Sequence, residues 1–164
     1  MHVPMDRWIS NNLLSIVLLA GVSILVLFVM RELYYLSRLW GHVRFARTLT
    51  EGLEQYHTER GEFPVRPEFA PLVGNTREAL KAWLPELPEN TLQKLPHTFA
   101  NNDNGFGQWL YRSDGRDFKL IYFHPSPGEA KAASRYCRGW LDPERASLHS
   151  VGAYGIWSRG ATSW

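Results

Sequence analysis

The sequence predicts an α+β fold in which a long N-terminal helix, first transmembrane and then amphipathic, packs on a small antiparallel sheet of about three strands. Three observations predict it: an uncharged apolar run, a helical stripe of apolar residues after that run, and a strand-turn-strand pattern in the second half of the chain. The chain accordingly divides into an N-terminal flank, a transmembrane helix, its amphipathic continuation and a globular α+β domain, at residues 1–12, 13–30, 31–61 and 62–164.

The apolar run is LLSIVLLAGVSILVLFVM, residues 13–30, which contains no charged residue and no proline. With a rise of about 1.5 Å per residue, a helix of this length can cross a hydrocarbon core of roughly 30 Å. A buried core helix usually has a polar face, which this run lacks. A signal peptide has a shorter apolar region and a cleavage site of small residues. We therefore predict a retained, single-pass membrane helix.

The helical pattern continues beyond the apolar run. Apolar residues recur at spacings of three and four, as on one face of a helix. They are Leu36, Trp40, Val43, Ala46, Leu49, Leu53 and Tyr56. Gly61 is a typical stop for a helix, so we predict that the helix ends at Arg60. The remaining residues must supply the surface that covers this stripe.

Local signals divide the first part of the globular domain into a loop and a short helix. The proline-rich segment 63–71 is predicted to be an extended loop because proline resists helix. Asn75 stands three residues before Glu78, which is the arrangement of a capping box. A helix is therefore predicted over 76–84, and prolines punctuate the segment that follows it.

The second part of the globular domain contains the clearest hairpin of the chain. Strand-forming runs at 108–112 and 118–123 flank an Asp-Gly pair, which offers the positive φ that a tight reversal needs. Ser126, Pro127 and Glu129 are typical of the start of a helix, which we predict to end at Cys137 or Arg138. A last strand is predicted over 153–158.

Composition limits both the size and the chemistry of the protein. The chain has 164 residues, 45% of them hydrophobic, which leaves one compact domain after the membrane helix. Its net charge of +2 is too small to indicate a nucleic-acid partner. Cys137 is the only cysteine, which excludes an intramolecular disulfide and a cysteine-based metal cluster.

Side chains with catalytic or metal-binding potential are present but form no recognised motif. Five of the six histidines show no zinc-binding spacing and are predicted to lie on the surface or in loops: His42, His57, His97, His124 and His149. No Gly-x-Ser-x-Gly elbow or phosphate-binding loop occurs. We therefore predict neither an enzyme nor a bound cofactor.

The chain is rich in tryptophan. Four of these residues are predicted to pack in the core between sheet and helix: Trp83, Trp109, Trp140 and Trp157. Trp164 is instead a candidate contact residue for another protein.

Three segments in this order resemble a known family. The residues LEQYHTERGEFP at 53–64 resemble the close of the first helix in type IV pilins and type II secretion pseudopilins. The segment YRSDGRDFKL at 111–120 is similar to their strand-turn-strand, and YGIWSRG at 154–160 is similar to their closing strand. The chain lacks the family's glycine before the apolar run and its glutamate early within it. We therefore expect a pilin-like protein that is not cut by a prepilin peptidase.

The resemblance implies a structural or accessory subunit of a secretion-type or pilus-type assembly. Its partners would be the lipid bilayer and other protein subunits, including copies of itself, and not nucleic acid. The surface for packing would include Leu36, Val43, Leu49 and Leu53. The family also suggests a calcium loop with oxygen ligands from Asn101, Asp103 and Asn104, although an ordinary asparagine-rich turn explains these residues equally well.

The resemblance also bears on location. It places the protein in a bacterial inner membrane with the C-terminal domain in the periplasm. The arginine count points the other way, because Arg31, Arg38, Arg44 and Arg47 follow the apolar run and only Arg7 precedes it. We follow the family here, because the four arginines can equally meet anionic headgroups. Two alternatives remain open: a membrane-tethered binding or sensor module, and a small membrane-bound enzyme.

Overall fold

The computed structural model of the chain describes residues 5–95, 107–146 and 151–164. Two compact units make up the chain, Met1–Tyr34 and Tyr35–Trp164. The fold class is α+β, and within the described residues the long N-terminal helix packs on a four-stranded antiparallel sheet. The predicted layout is confirmed, with one strand more than expected.

Helix α1 runs from Met5 to Arg60 and ends where the sequence predicted. Gly61 follows with φ of +80°, and its N–H donates to the carbonyl oxygen of His57 at 2.8 Å. Only glycine adopts this left-handed conformation readily, so the helix stops there.

In the second unit, α1 buries one face against the sheet. Its fully or almost fully buried side chains are Leu39, His42, Val43, Phe45, Ala46, Leu49 and Leu53. The predicted stripe was wrong at Trp40, which is 49% exposed, and it missed Phe45. The covered face is thus rotated slightly from the predicted one, because Phe45 packs on Trp109 of the sheet with ring centroids 5.0 Å apart.

The sheet contains β1 (Arg66–Pro71), β2 (Gln108–Ser113), β3 (Phe118–Phe123) and β4 (Ala153–Trp157), hydrogen-bonded in that order. The prediction of a loop over 63–71 was wrong, since β1 lies within it. Proline is tolerated there because β1 is an edge strand, and its register with β2 shifts between Arg66 and Ala70. The opposite edge is partly covered by Leu141, which forms a bridge with Tyr154 of β4.

The hairpin formed by β2 and β3 is confirmed. Gly115 has φ of +91°, and the carboxylate of Asp114 accepts from the backbone N–H groups of Arg116 and Asp117 at 2.9 and 2.8 Å. The aspartate therefore serves the turn geometry, as expected for its position. The register pairs Trp109 with Tyr122, so both rings face α1.

The second unit also contains, within the described residues, the α-helices α2 (Arg77–Trp83), α3 (Glu89–Lys94) and α4 (Pro127–Tyr136). Two short 3-10 helices lie at Arg138–Trp140 and Arg159–Ala161. The capping box predicted at Asn75 was wrong. The N-cap of α2 is Thr76, whose hydroxyl accepts from the N–H of Ala79. For α4 the prediction is confirmed, with Ser126 and Glu129 forming the capping box.

The aromatic core was predicted only in part. Trp83 and Trp109 are buried, and Trp109 is joined by Tyr111, Tyr122 and Tyr154 of the sheet. Trp140 and Trp157 are half-buried instead. Trp140 packs against the core from its edge, whereas the Trp157 ring lies 5.3 Å from Nζ of Lys119.

Candidate functional site: an exposed apolar helix and a buried polar cluster

The apolar segment of the first unit exposes its side chains all round. Every large apolar side chain described between Leu13 and Met30 is exposed. The exposed fractions range from 46% at Val29 to 69% at Leu27. Among the described residues, α1 is the one helix that is long and apolar enough to cross a membrane. An exposed surface of this kind is costly in water, whereas a helix satisfies all its backbone hydrogen bonds within lipid.

The residues predicted to contact other subunits lie mainly within the domain's own core. Val43, Leu49 and Leu53 are buried, and Leu36 is half-buried. The Trp164 ring is half-buried and lies 4.8 Å from Cζ of Arg112. A contact between Trp164 and another subunit stays a prediction.

The proposed calcium ligands Asn101, Asp103 and Asn104 lie outside the described residues. Within the part of the chain that the structure describes, no group of three or more His, Cys, Asp or Glu side chains is placed to hold a metal ion. The predictions about calcium and cofactors stay predictions.

The second unit contains a buried cluster of polar side chains, here called the polar cluster. Its members are Arg38, His42, Ser126, Glu129 and Tyr154. The Nε–H of Arg38 donates to Oε1 of Glu129 at 2.7 Å, although the Glu129 side chain is only 1% exposed. The other carboxylate oxygen accepts from the backbone N–H and the hydroxyl of Ser126, at 2.9 and 2.7 Å. Glu129 is therefore held as a carboxylate by donors from both α1 and the start of α4.

These contacts outweigh the cost of burying the charge. Burial raises the pKa of Glu129, but the hydrogen bonds from Ser126 and Arg38 and the nearby His42 together lower that pKa below its ordinary value. The ionised form is consequently the stable one in the folded protein, and α1 and α4 are joined by a charge-assisted hydrogen bond.

His42 and Tyr154 extend the polar cluster to β4. Nδ1 of His42 lies 2.6 Å from the Tyr154 hydroxyl, and both side chains are buried. The His42 ring also packs against Tyr122, with centroids 4.1 Å apart. Burial, with the negative charge of Glu129 second, raises the pKa of Tyr154 well above its ordinary value, so the phenol remains protonated.

The contacts of this cluster connect three elements, α1, α4 and β4. The Ser126 hydroxyl donates to the Glu129 carboxylate and accepts from the Glu129 backbone N–H, so both its proton and a lone pair are used in the capping box. Burial raises the pKa of the Cys137 thiol, which opposes formation of the reactive thiolate. The polar groups thus fix α4 and β4 against α1.

Sequence reasoning missed most of this cluster. His42 was predicted to be a surface or loop residue, and that prediction was wrong because His42 is 3% exposed. Its position three residues after Leu39 and four before Ala46 was a usable signal, since it falls on the buried face. The capping role of Glu129 was predicted, but its partner Arg38 is 91 residues away and no local pattern indicates it.

A second buried ion pair lies on the sheet face turned away from α1. Nζ of Lys119 in β3 donates to Asp142 at 2.8 Å, and both side chains are fully buried. Arg145 donates to the other carboxylate oxygen of Asp142 at 2.7 Å. Lys119 and Arg145 also donate to the main-chain oxygen of Trp164, at 2.8 and 2.7 Å. The C-terminal segment is thereby held onto the sheet.

Comparisons of the chain with protein families, with curated proteins and with solved structures found no match.

Proposed function

We propose that this protein is a single-pass, membrane-anchored, pilin-like or pseudopilin-like subunit that serves a structural or accessory role in a secretion-type or pilus-type assembly. The observation that carries the proposal is the contrast in side-chain exposure between the two parts of α1. Every large apolar side chain described between Leu13 and Met30 is exposed, whereas one face of the part from Leu39 to Leu53 is buried under an antiparallel sheet. Helix, hairpin and closing strand also follow one another in the order of the family that the sequence resembles.

The mechanism of such a subunit is mechanical. Residues 13–30 hold the protein in the bilayer, and the stripe from Leu39 to Leu53 holds the sheet on α1. The ion pair of Arg38 and Glu129 fixes α4 beside the same helix. This assignment contains no chemical step and places the domain in the periplasm of a bacterium.

A topology reporter tests the proposal. A periplasm-only reporter, such as alkaline phosphatase, fused after Trp164 is expected to be active, and a cytoplasm-only reporter at the same point is expected to be silent. Activity of the cytoplasm-only reporter would contradict a periplasmic domain and therefore the proposed role in a secretion-type assembly.

A crosslinking experiment separates the proposed role from the alternative of a tethered binding module. A subunit of an assembly is expected to give crosslinked species containing two or more copies or a second membrane protein. The chain is also expected to keep its N-terminal mass when it is coexpressed with a prepilin peptidase. A chain that remains monomeric after crosslinking, with no larger crosslinked species, would favour the binding module.

A further inference from the structure

One face of α4 is basic and exposed. Lys131 and Arg135 lie four residues apart on α4. Arg138 follows the end of that helix, and its Nε–H donates to the carbonyl oxygen of Ser134 at 3.2 Å. All three are exposed, whereas Ala132, Ala133 and Cys137 on the other side are buried. Between Pro127 and Trp140 the only acidic residue in the sequence is Glu129, which is buried and paired with Arg38.

A second basic row lies on α1. Arg44 and Arg47 are exposed and, with the 49% exposed Trp40, line an open groove along the helix. Glu51 lies at the far end of that groove. Cζ of Arg47 lies 5.7 Å from the centre of the Trp140 ring, which joins this row to the end of the α4 row. We call the five residues Arg44, Arg47, Lys131, Arg135 and Arg138 the basic face.

The beginning of α4 is linked to residues that closely follow the apolar run. The ring of Tyr35 fills the space that a side chain at Gly128 would need, and Arg38 holds Glu129. Arg38 comes eight residues after Met30 in the sequence. Even a fully extended chain of that length spans no more than about 28 Å. Arg38, which holds the start of α4, therefore stays within about 28 Å of the end of the apolar run.

We propose that the basic face binds the anionic phospholipid headgroups of the bilayer that holds residues 13–30. This inference rests on the proposed membrane anchorage. A bilayer surface that contains acidic lipids attracts clustered Lys and Arg side chains within about 10 Å. The membrane helix tethers the cluster to that bilayer, so the basic face meets the surface at a high effective concentration. Trp40 and Tyr136, which is 50% exposed, add amphipathic rings of the kind that suit the headgroup region.

The test uses the full-length chain in lipid nanodiscs with a nitroxide label at position 139. Gly139 is exposed and has open space around it, so a labelled cysteine is accommodated there. The Cys137→Ala background removes the natural thiol. In discs containing about 30% phosphatidylglycerol, the label at Gly139→Cys is expected to be less accessible to a water-soluble relaxation agent than in discs of phosphatidylcholine alone.

Two variants sharpen the measurement. The double variant Arg135→Gln with Arg138→Gln is expected to lower the ratio of membrane-bound to unbound basic face by about 30-fold. Each arginine contributes roughly a fivefold preference for the anionic surface. Lys94→Gln with Arg116→Gln removes two exposed positive charges elsewhere in the domain and is expected to leave the label unchanged. Raising the salt concentration is expected to increase the accessibility of the label in the anionic discs, as the first variant does, because salt screens the charges.

Equal accessibility of the label in the two kinds of disc would overturn the proposal. So would a difference that survives Arg135→Gln with Arg138→Gln, because charge would then not be its cause. Failure of the chain to enter either kind of disc would instead contradict the membrane anchorage, and hence the proposed function.

Discussion

Two ion pairs of the second unit show how position decides what a charge contributes. Arg38 and Glu129 lie 2.7 Å apart with the carboxylate buried, whereas Lys81 and Glu89 lie 3.6 Å apart with both side chains largely exposed. A buried charge that loses its partner retains its desolvation cost, but an exposed one is solvated by water. The first pair is therefore important for stability and the second is not.

The substitution Glu129→Gln tests this difference. It removes the charge that Arg38 faces and weakens the capping of α4, and we expect it to lower the free energy of unfolding by about 2 to 3 kcal/mol. The matched substitution Glu89→Gln is expected to lower it by less than about 0.5 kcal/mol. Urea unfolding of the full chain in detergent measures both. Equal losses would show that burial of Glu129 does not matter.

The same carboxylate gives stability a defined pH dependence. The pKa of Glu129 in the folded protein is below its ordinary value of 4.5. Its stabilising effect is therefore complete above pH 4.5 and is lost as the pH falls through the lower, folded-state pKa. The difference in unfolding free energy between the natural chain and Glu129→Gln should be constant from pH 7 to 5 and shrink below about pH 4. A difference that grows on acidification would contradict this.

Prediction from the sequence succeeded at single residues where the signal was local. Ser126 and Glu129 are three positions apart, and their capping box followed directly from that spacing. The burial of Lys119 has no local signal because its partner Asp142 lies 23 residues away, and the contact of His42 with Tyr154 spans 112 residues. A polar side chain is predicted at the surface unless a distant partner is known.

At the scale of the elements, α3 packs closely on α1 at a glycine. A Cβ atom on Gly52 would lie 2.5 Å from Cγ2 of Thr91, which is itself buried. At Gly41, in the same helix, a Cβ atom would meet nothing within 4 Å. One of the two glycines is therefore required by packing, while the other only weakens the helix.

Alanine at these two positions should act in opposite directions. Gly41→Ala is expected to raise the free energy of unfolding by about 0.5 to 1 kcal/mol through helix propensity. Gly52→Ala is expected to lower it by about 1 to 2 kcal/mol, because the methyl group forces α3 away from α1. Thermal melting of the two variants beside the natural chain measures both. A stabilising Gly52→Ala would show that Thr91 moves aside at little cost.

Some elements were predicted well and others were not, for one physical reason. The hairpin and the end of α1 are marked by Asp-Gly and by Gly61, which impose a backbone conformation locally. Strand β1 contains Pro67 and Pro71 and forms only because β2, about forty residues later, pairs with it. Pairing between distant segments overrides the local preference, so a loop was predicted where the fourth strand lies.

At the scale of the whole molecule, the core belongs to the second unit. The buried apolar residues of the described chain all lie between Leu39 and Ala161. The first unit contributes none of them, and its apolar run is exposed. The core that stabilises the domain and the apolar run that is long enough to cross a membrane thus lie in separate parts of the sequence.

A shortened chain tests this separation. Residues 35–164 expressed alone are expected to be water-soluble and to unfold in one cooperative transition, because the fragment keeps the stripe of α1 and the sheet that covers it. Circular dichroism and denaturant unfolding of the fragment provide the measurement. Gradual unfolding, or aggregation without lipid, would show that the domain depends on residues before Tyr35.

The two margins of the sheet limit how neighbouring copies can meet. Pro67 and Pro71 leave the edge strand β1 without two N–H donors. At the other edge of the sheet, the backbone N–H of Asp142 donates to the carbonyl oxygen of Ala153 in β4. A crowded array of these domains therefore has little opportunity to fuse strand to strand into a fibrous deposit. Two copies brought together are therefore expected to touch through helix surfaces and loops, and such contacts can form and separate while the sheet stays intact.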